Sequence, residues 1–192
     1  MRRIRNKSVV GRAGEKERNF AGNLHCLVML VAVFGMSAGA LSARSPETDV
    51  QSAQDAFVTN CFSPFMTAAK AAKVLNLANA RYDFYDLDPF SNVAPSPVTG
   101  RAATPGTDRR CEIAVDGDHR KPFAMAATAR LQAEGITTPA PVPATHTATS
   151  ETELLAARQL NPKRIAVVHV GLRPGPNGPE TFVYVERLEP SP

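Results

Sequence analysis

The sequence predicts a small α+β domain: a three-stranded antiparallel sheet with a C-terminal hairpin, covered on one face by Ala-rich helices. Three observations carry this prediction. "RIAVVHVGL" (Arg164–Leu172) and "TFVYVERL" (Thr181–Leu188) are β-rich runs separated by the Gly/Pro loop "RPGPNGP", the pattern of an antiparallel hairpin. "RCEIAV" (Arg110–Val115) alternates, with Ile113 and Val115 on one face, and reads as a third, short strand. Upstream, Asp49 to Ala80 is Ala-rich, almost free of Gly and Pro, and follows a helical period.

Residues 1–43 stand apart from that domain. Arg2, Arg3, Arg5, Lys7, Arg12, Lys16 and Arg18 precede the uncharged stretch "CLVMLVAVFGMSAGALSA". A basic start, an apolar centre and a tail of small residues make a secretory signal peptide, with cleavage after Ala40 or Ala43. Retention of the segment as an anchor is the alternative, giving a signal-anchored envelope protein. The 192-residue chain is formally +4, and this segment holds seven basic against two acidic residues. Residues 44–192 therefore keep 15 Lys/Arg against 16 Asp/Glu. The basic pI belongs to the leader and gives no support for a nucleic-acid partner. Cys26 lies in the leader, so the exported part holds Cys61 and Cys111, an even pair in an oxidising compartment, and a disulfide is expected.

Within residues 44–192, taken as one domain, Val50, Ala53, Ala56-Phe57 and Asn60-Cys61 define a first helix. Ser63-Pro64 reads as the start of a second, running to about Ala80 with Cys61 at the joint. Pro89 to Thr107 is loop. Asp116-Gly117 is a turn, with Asp118 as cap of a helix from about Arg120 to Glu134 that presents Phe123, Ala127 and Leu131 at i, i+4, i+8 and stops at Gly135. "TTPAPVPATHTATS" (137–150) is a Pro/Thr-rich linker or exposed loop, whose one core-forming residue is Val142. A short helix is expected around Thr152 to Gln159, ending before Asn161-Pro162.

Candidate chemistry gathers in three places. "YDFYDLDPF" (Tyr82–Phe90) packs four aromatics and three aspartates into nine residues. Asp83, Asp86 and Asp88 are oxygen ligands of the kind Ca²⁺ takes, but the D-x-x-D-x-D spacing is not that of an EF-hand. The simpler reading has the rings anchoring the segment to the core; if extended, Tyr82, Phe84 and Asp86 share one face and Asp83 and Tyr85 the other. "DGDH" places Asp116, Asp118 and His119 close together, a set able to hold a transition metal, against the plain reading of a turn and helix cap. "TPGTDRRC" supplies a tight turn with Arg109 and Arg110, which with Tyr82 and Tyr85 offer contacts to a ligand or anion. Pairing of these arginines with Asp83, Asp86 or Asp88 would join the two segments near the expected disulfide. His169 reads as a sheet-face histidine. Gly35-Met36-Ser37-Ala38-Gly39 matches G-x-S-x-G but sits in the leader, away from any strand-to-helix elbow.

Together "YDFYDLDPF", "TPGTDRRCE", "ARQLNPKR" and "ETFVYVERL" resemble short exported proteins of alphaproteobacteria; the resemblance implies no activity, cofactor or site. The sequence points to a periplasmic or secreted, non-catalytic domain that binds a protein or small ligand and needs no cofactor. The alternative is a small exported metal-dependent hydrolase using Asp116, Asp118 and His119.

Overall fold

The computed structural model describes residues 46–189; the predicted signal peptide lies outside them. Their elements run α1 (Pro46–Asn60), α2 (Ala68–Val74), β1 (Ala80–Asp86), β2 (Thr107–Asp116), α3 (Arg120–Ala133), β3 (Thr152–Asn161), β4 (Arg164–Gly175) and β5 (Gly178–Leu188). The fold is α+β, but the sheet has five strands, not three, in the order β1-β2-β5-β4-β3, with every neighbouring pair antiparallel. The two added strands, β1 and β3, are the edges. α3 lies in the connection that carries the chain from β2 to the far edge.

Helices and sheet meet on one side. Ala53, Phe57 and Cys61 recur every fourth residue at α1 and its end, and Phe123, Ala127 and Leu131 do so on α3; all six are buried. They pack on Ile113, Val115, Val168, Val170 and Val183 of the three central strands. Each fully buried aliphatic or Phe side chain contributes roughly 1.5–3 kcal/mol of burial free energy. The Cys61–Cys111 disulfide (Cα–Cα 5.3 Å) fastens the end of α1 to β2. α3 stops at Gly135 (φ +70°), and Ile136 N–H donates back to the Leu131 carbonyl at 2.9 Å.

Local chemistry moves several expected boundaries. The second helix starts at Ala68 rather than Pro64, because Thr67 is extended and its Oγ1 accepts from Lys70 N–H at 3.2 Å. The expected Asp118 cap is replaced by His119 at the N-cap position, with no side-chain cap bond. Asp118, one residue earlier, still accepts from the Arg120 backbone N–H at 3.3 Å, and also from the Arg120 side chain. The expected helix over Thr152–Gln159 is strand β3. Its residues favour helix, but pairing with β4 from Thr152↔Gly171 to Asn161↔Arg164 decides the matter. Asn161 Oδ1 closes the turn by accepting from Lys163 N–H at 2.8 Å. The C-terminal hairpin is longer than expected: β4 and β5 pair as far as Gly175↔Gly178, leaving a two-residue turn with Gly178 at φ +116°.

Tyr82–Asp86 is extended, as the larger part of edge strand β1, and its side chains alternate accordingly: Phe84 enters the helix-side core while Tyr85 is buried on the other face. The 137–150 tract is no free linker either. It lies along the sheet edge through Ala140 N–H to Ala157 O (3.1 Å) and Gln159 N–H to Thr138 O (2.9 Å). Val142 is exposed, whereas His146 is buried.

Candidate functional site

Consecutive residues of a strand face opposite ways, so each strand deals its charges to two sides. On the side away from the helices, Arg110 of β2 lies opposite Glu186 of β5. Glu186 is fully buried, and four donors converge on it: Arg110 Nε and Thr104 Oγ1 (3.0 Å) on Oε1, His146 Nε2 (2.8 Å) and Thr107 Oγ1 (3.2 Å) on Oε2. Burial alone would raise this carboxyl; the His146 hydrogen bond and the Arg110 charge outweigh it and hold Glu186 below the ordinary glutamate range. Arg110 also reaches Asp83 at 3.2 Å and lies over the Tyr85 ring at 5.5 Å. Burial pushes the Tyr85 phenol up to about 12.

Next to this cluster, His169 on β4 bridges Thr152 Oγ1 (3.1 Å) and Tyr184 OH (2.9 Å) and meets the Phe182 ring edge-to-face at 5.0 Å. Desolvation, with His146 nearby, brings its pKa down to about 4, so it is neutral at pH 7. Further along, Arg173 bridges the buried Glu112 and Glu180, each at 2.6 Å, while Arg81 joins Glu180 (2.6 Å) to Asp116 (2.5 Å). This face is a closed ionic lattice rather than an open site.

The helix side differs at the end of the sheet next to the disulfide. Arg109 and Arg187 share the face of Cys111 and Val185, and both are over nine-tenths buried (7% and 4% exposed). Arg187 donates to Asp108 (2.6 Å), Asp86 (2.8 Å) and the Asp88 carbonyl, and lies over the Phe90 ring at 4.1 Å. Arg109 gives Nη2 to the Ser63 carbonyl (2.6 Å) and, at 3.4 Å, to that of Cys61. Its Nη1 stands 3.6 Å from Asp86 Oδ2, beyond hydrogen-bond length, and that oxygen has no hydrogen-bond partner. Burial, opposed by Asp86 and reinforced by Arg187, lowers the Arg109 pKa. Both guanidinium groups line a cleft of about 180 Å³ walled by Phe62, Pro64, Phe90, Ile136 and Leu160.

The candidate residues therefore separate. Arg109 and Arg110 do pair with the aspartates of the acidic-aromatic segment, Arg109 with Asp86 and Arg110 with Asp83, while Asp88 meets Arg164 at 3.0 Å. Of the four expected ligand contacts, Arg109 reaches the cleft. Arg110 and Tyr85 are buried in the lattice, and Tyr82 is part-exposed on the edge strand. Asp83, Asp86 and Asp88 do not meet Asp116, Asp118 and His119. The β1–β2 register puts Asp86 and Ala80, the strand's start beside Val115, six residues apart, on the order of 20 Å. Among the described residues no three His, Cys, Asp or Glu side chains are placed to hold a metal together. Asp116 and His119 do border a larger cleft, about 730 Å³, with Glu47, Asp49 and Asn79. There Asp116 already accepts from Arg81 and Asn177, and His119 Nε2 turns to the Asp116 carbonyl at 3.1 Å. Asp118, held to about 2 by its hydrogen bonds to Arg120, belongs to Arg120 instead.

Sequence reasoning passed over His146, Glu186 and Arg187. An isolated histidine in a Pro/Thr tract gives no signal of a carboxylate 40 residues away. For Arg187 the signal was available: in "VYVERL" its position alternates with Val183 and Val185 onto the core face, where a cation needs partners. No helix among the described residues is long and apolar enough to cross a membrane. Comparison with protein-family models, curated proteins and solved structures finds no match to this chain.

Proposed function

We propose that the protein is an exported, disulfide-stapled binding domain, without catalytic activity, that takes its ligand in the cleft beside the Cys61–Cys111 bridge. One observation carries the reading: two guanidinium groups, each more than nine-tenths buried, line a largely apolar cleft with N–H donors that their own partners leave unused. Burying a cation is costly, and folding on its own would favour an apolar residue there. Two arginines retained there, with N–H groups left over once their partners are counted, are what recognition requires. The disulfide suits an oxidising location and, with the leader, supports a periplasmic or secreted site of action.

The test is an amide-resolved NMR screen of residues 44–192 with small anionic, cationic, neutral and metal-ion probes. Shifts clustering at Phe62, Phe90 and Ile136 are expected. Shifts clustering instead at Asp116–His119 with Ca²⁺, Zn²⁺ or Mn²⁺ would overturn this reading in favour of the metal-dependent alternative. Export is checked separately by intact mass of secreted material, which also distinguishes cleavage after Ala40 or Ala43 from a retained anchor.

A further inference from the structure

We infer that the cleft recognises a carboxylate carried on a short, branched apolar chain, as a free acid or as the C-terminus of a polypeptide ending in an aliphatic residue. The inference rests on the cleft being the binding site and adds what it selects.

Charge sets the sign of the ligand. The buried part of the cluster holds three guanidinium groups, Arg109, Arg164 and Arg187, against two carboxylates, Asp86 and Asp108. The further carboxylates, Asp88 and Glu189, touch Arg164 from largely exposed positions and compensate weakly across solvent. The surplus is positive. Arg164 does not line the cleft; of the charged residues that do, Arg109 and Arg187 present guanidinium groups while Glu186 turns its carboxylate to the opposite face, so the cleft itself is positive. Geometry says where an anion would sit. Arg109 makes no hydrogen bond through Nε or Nη1 among the described residues, nor does Arg187 through Nη1. Two planar groups offering adjacent N–H donors match the two oxygens of a carboxylate better than a point cation would.

Shape and polarity describe the remainder. Phe62, Pro64, Phe90, Ile136 and Leu160 supply no hydrogen-bonding side chain, so the body of the ligand is apolar. At about 180 Å³ the cleft falls below the roughly 300–1,000 Å³ of sites that hold drug-sized ligands, which points to a small acid or a single side chain. That suits a leucine- or valine-like branch and is too small for a nucleotide or a sugar chain. The rim is apolar too: Phe90, which lines the cleft, is 52% exposed, so a longer chain leaves the cleft over its ring.

The experiment titrates residues 44–192, disulfide intact, with 4-methylpentanoate, its carboxamide and its amine, and with acetyl-Ala-Ala-Leu as free acid and as C-terminal amide. Amide shifts at Phe62, Phe90 and Ile136 are the readout. The carboxylates are expected to bind at least tenfold more tightly than the matching amides and amine. Preference for the peptide acid over the free acid identifies a polypeptide terminus as the source, and the reverse a free acid. Arg109→Gln should abolish the preference. Because Arg109 also holds the Cys61–Ser63 carbonyls, Phe90→Ala on the exposed wall is the second variant, expected to weaken both carboxylates several-fold with the fold unchanged. Equal shifts from acid and amide at the cleft would overturn carboxylate recognition while leaving the cleft as the binding site. No shift at the cleft from any probe would overturn both.

Discussion

Glu186→Gln is the substitution whose cost the structure states most directly. Oε1 and Oε2 of Glu186 each receive two donors, from Arg110 and Thr104 and from His146 and Thr107. Glutamine offers one carbonyl oxygen and one NH₂ group, so in either orientation a donor faces two donors. Arg110, 4% exposed in its side chain, is then left with Asp83 at 3.2 Å as its sole carboxylate. Breaking a buried pair in this way costs about 3–5 kcal/mol. For a folded region of about 144 residues, an unfolding entropy of about 2.1 cal/mol/K per residue converts this to a fall in Tm of roughly 10–16 °C. Urea denaturation followed by far-UV circular dichroism measures it, and native-state hydrogen exchange adds a local check. The His146 amide, which donates to Pro143 O at 2.9 Å, should lose protection before the central strands do. Removing both charges, as Arg110→Met with Glu186→Leu, should cost less than the single change, since no uncompensated cation remains. A loss below about 1 kcal/mol for Glu186→Gln, or a double variant worse than the sum of the singles, would refute the assignment of Glu186 as the organising acceptor.

Other consequences are measurable in the same assay. His169 has a folded pKa of about 4 against an ordinary 6.5, so the unfolded chain binds the extra proton: stability is full above pH 6.5 and falls by roughly 2–3 kcal/mol as the pH drops to 4. His169→Gln should flatten that slope, and an unchanged slope would place the titration elsewhere. Cys61→Ser with Cys111→Ser opens a loop of 50 residues and should lose about 4 kcal/mol in the chain-entropy model, read as a lower urea midpoint. Gly171→Ala would set a Cβ 2.8 Å from Phe182 Cζ and 3.1 Å from the Glu151 carbonyl, and should destabilise by about 1–3 kcal/mol, seen as a lower Tm.

What the sequence disclosed about this fold depended on whether a segment's pattern was its own. "RIAVVHVGL" and "TFVYVERL" alternate strongly enough to declare strands, and Phe123, Ala127 and Leu131 declare a helix face without knowledge of their neighbours. β3 has no such pattern. "TELLAARQLN" is made of residues that lose little entropy in a helix, and only the β4 edge makes it a strand. β1 was hidden for another reason: with a core on one face and an ionic lattice on the other, it mixes rings and carboxylates on both, and no polar-out alternation survives. The arginine–aspartate pairing was legible as a possibility; its allocation was not. That follows from pleat parity once the β1–β2 register is known, which turns Arg109 toward Asp86 and Arg110 toward Asp83. The cleft lay further from view, since its walls come from the α1–α2 joint, Phe90 beyond β1, the segment after α3, and β2, β3, β4 and β5.

An antiparallel sheet covered by helices on one face usually gives its other face to water. Here that face is closed by ion pairs among Arg81, Arg110, Arg173, Glu112, Glu180 and Glu186 and, towards β3, by a small apolar cluster of Ala157, Ile165, Val167 and Leu188, in a chain that lacks tryptophan and has only nine Phe and three Tyr for bulk. Ion pairs of this sort add little net stability, yet they bear heavily on register. A one-residue slip of β5 would turn Glu186 onto the face of Cys111 and Val183, an uncompensated charge against the apolar core, and would lift Arg187 out of the cleft. The same slip in β2 would exchange Arg109 with Arg110 and carry Cys111 away from Cys61. β2 and β5 thus each carry an acid or arginine that penalises misplacement on one face, and a cysteine, valine or arginine that must land beside the joint on the other. The lattice and the cleft are for this reason two sides of one constraint: charges buried where no ligand reaches hold the register that keeps Arg109 and Arg187 together where a ligand can.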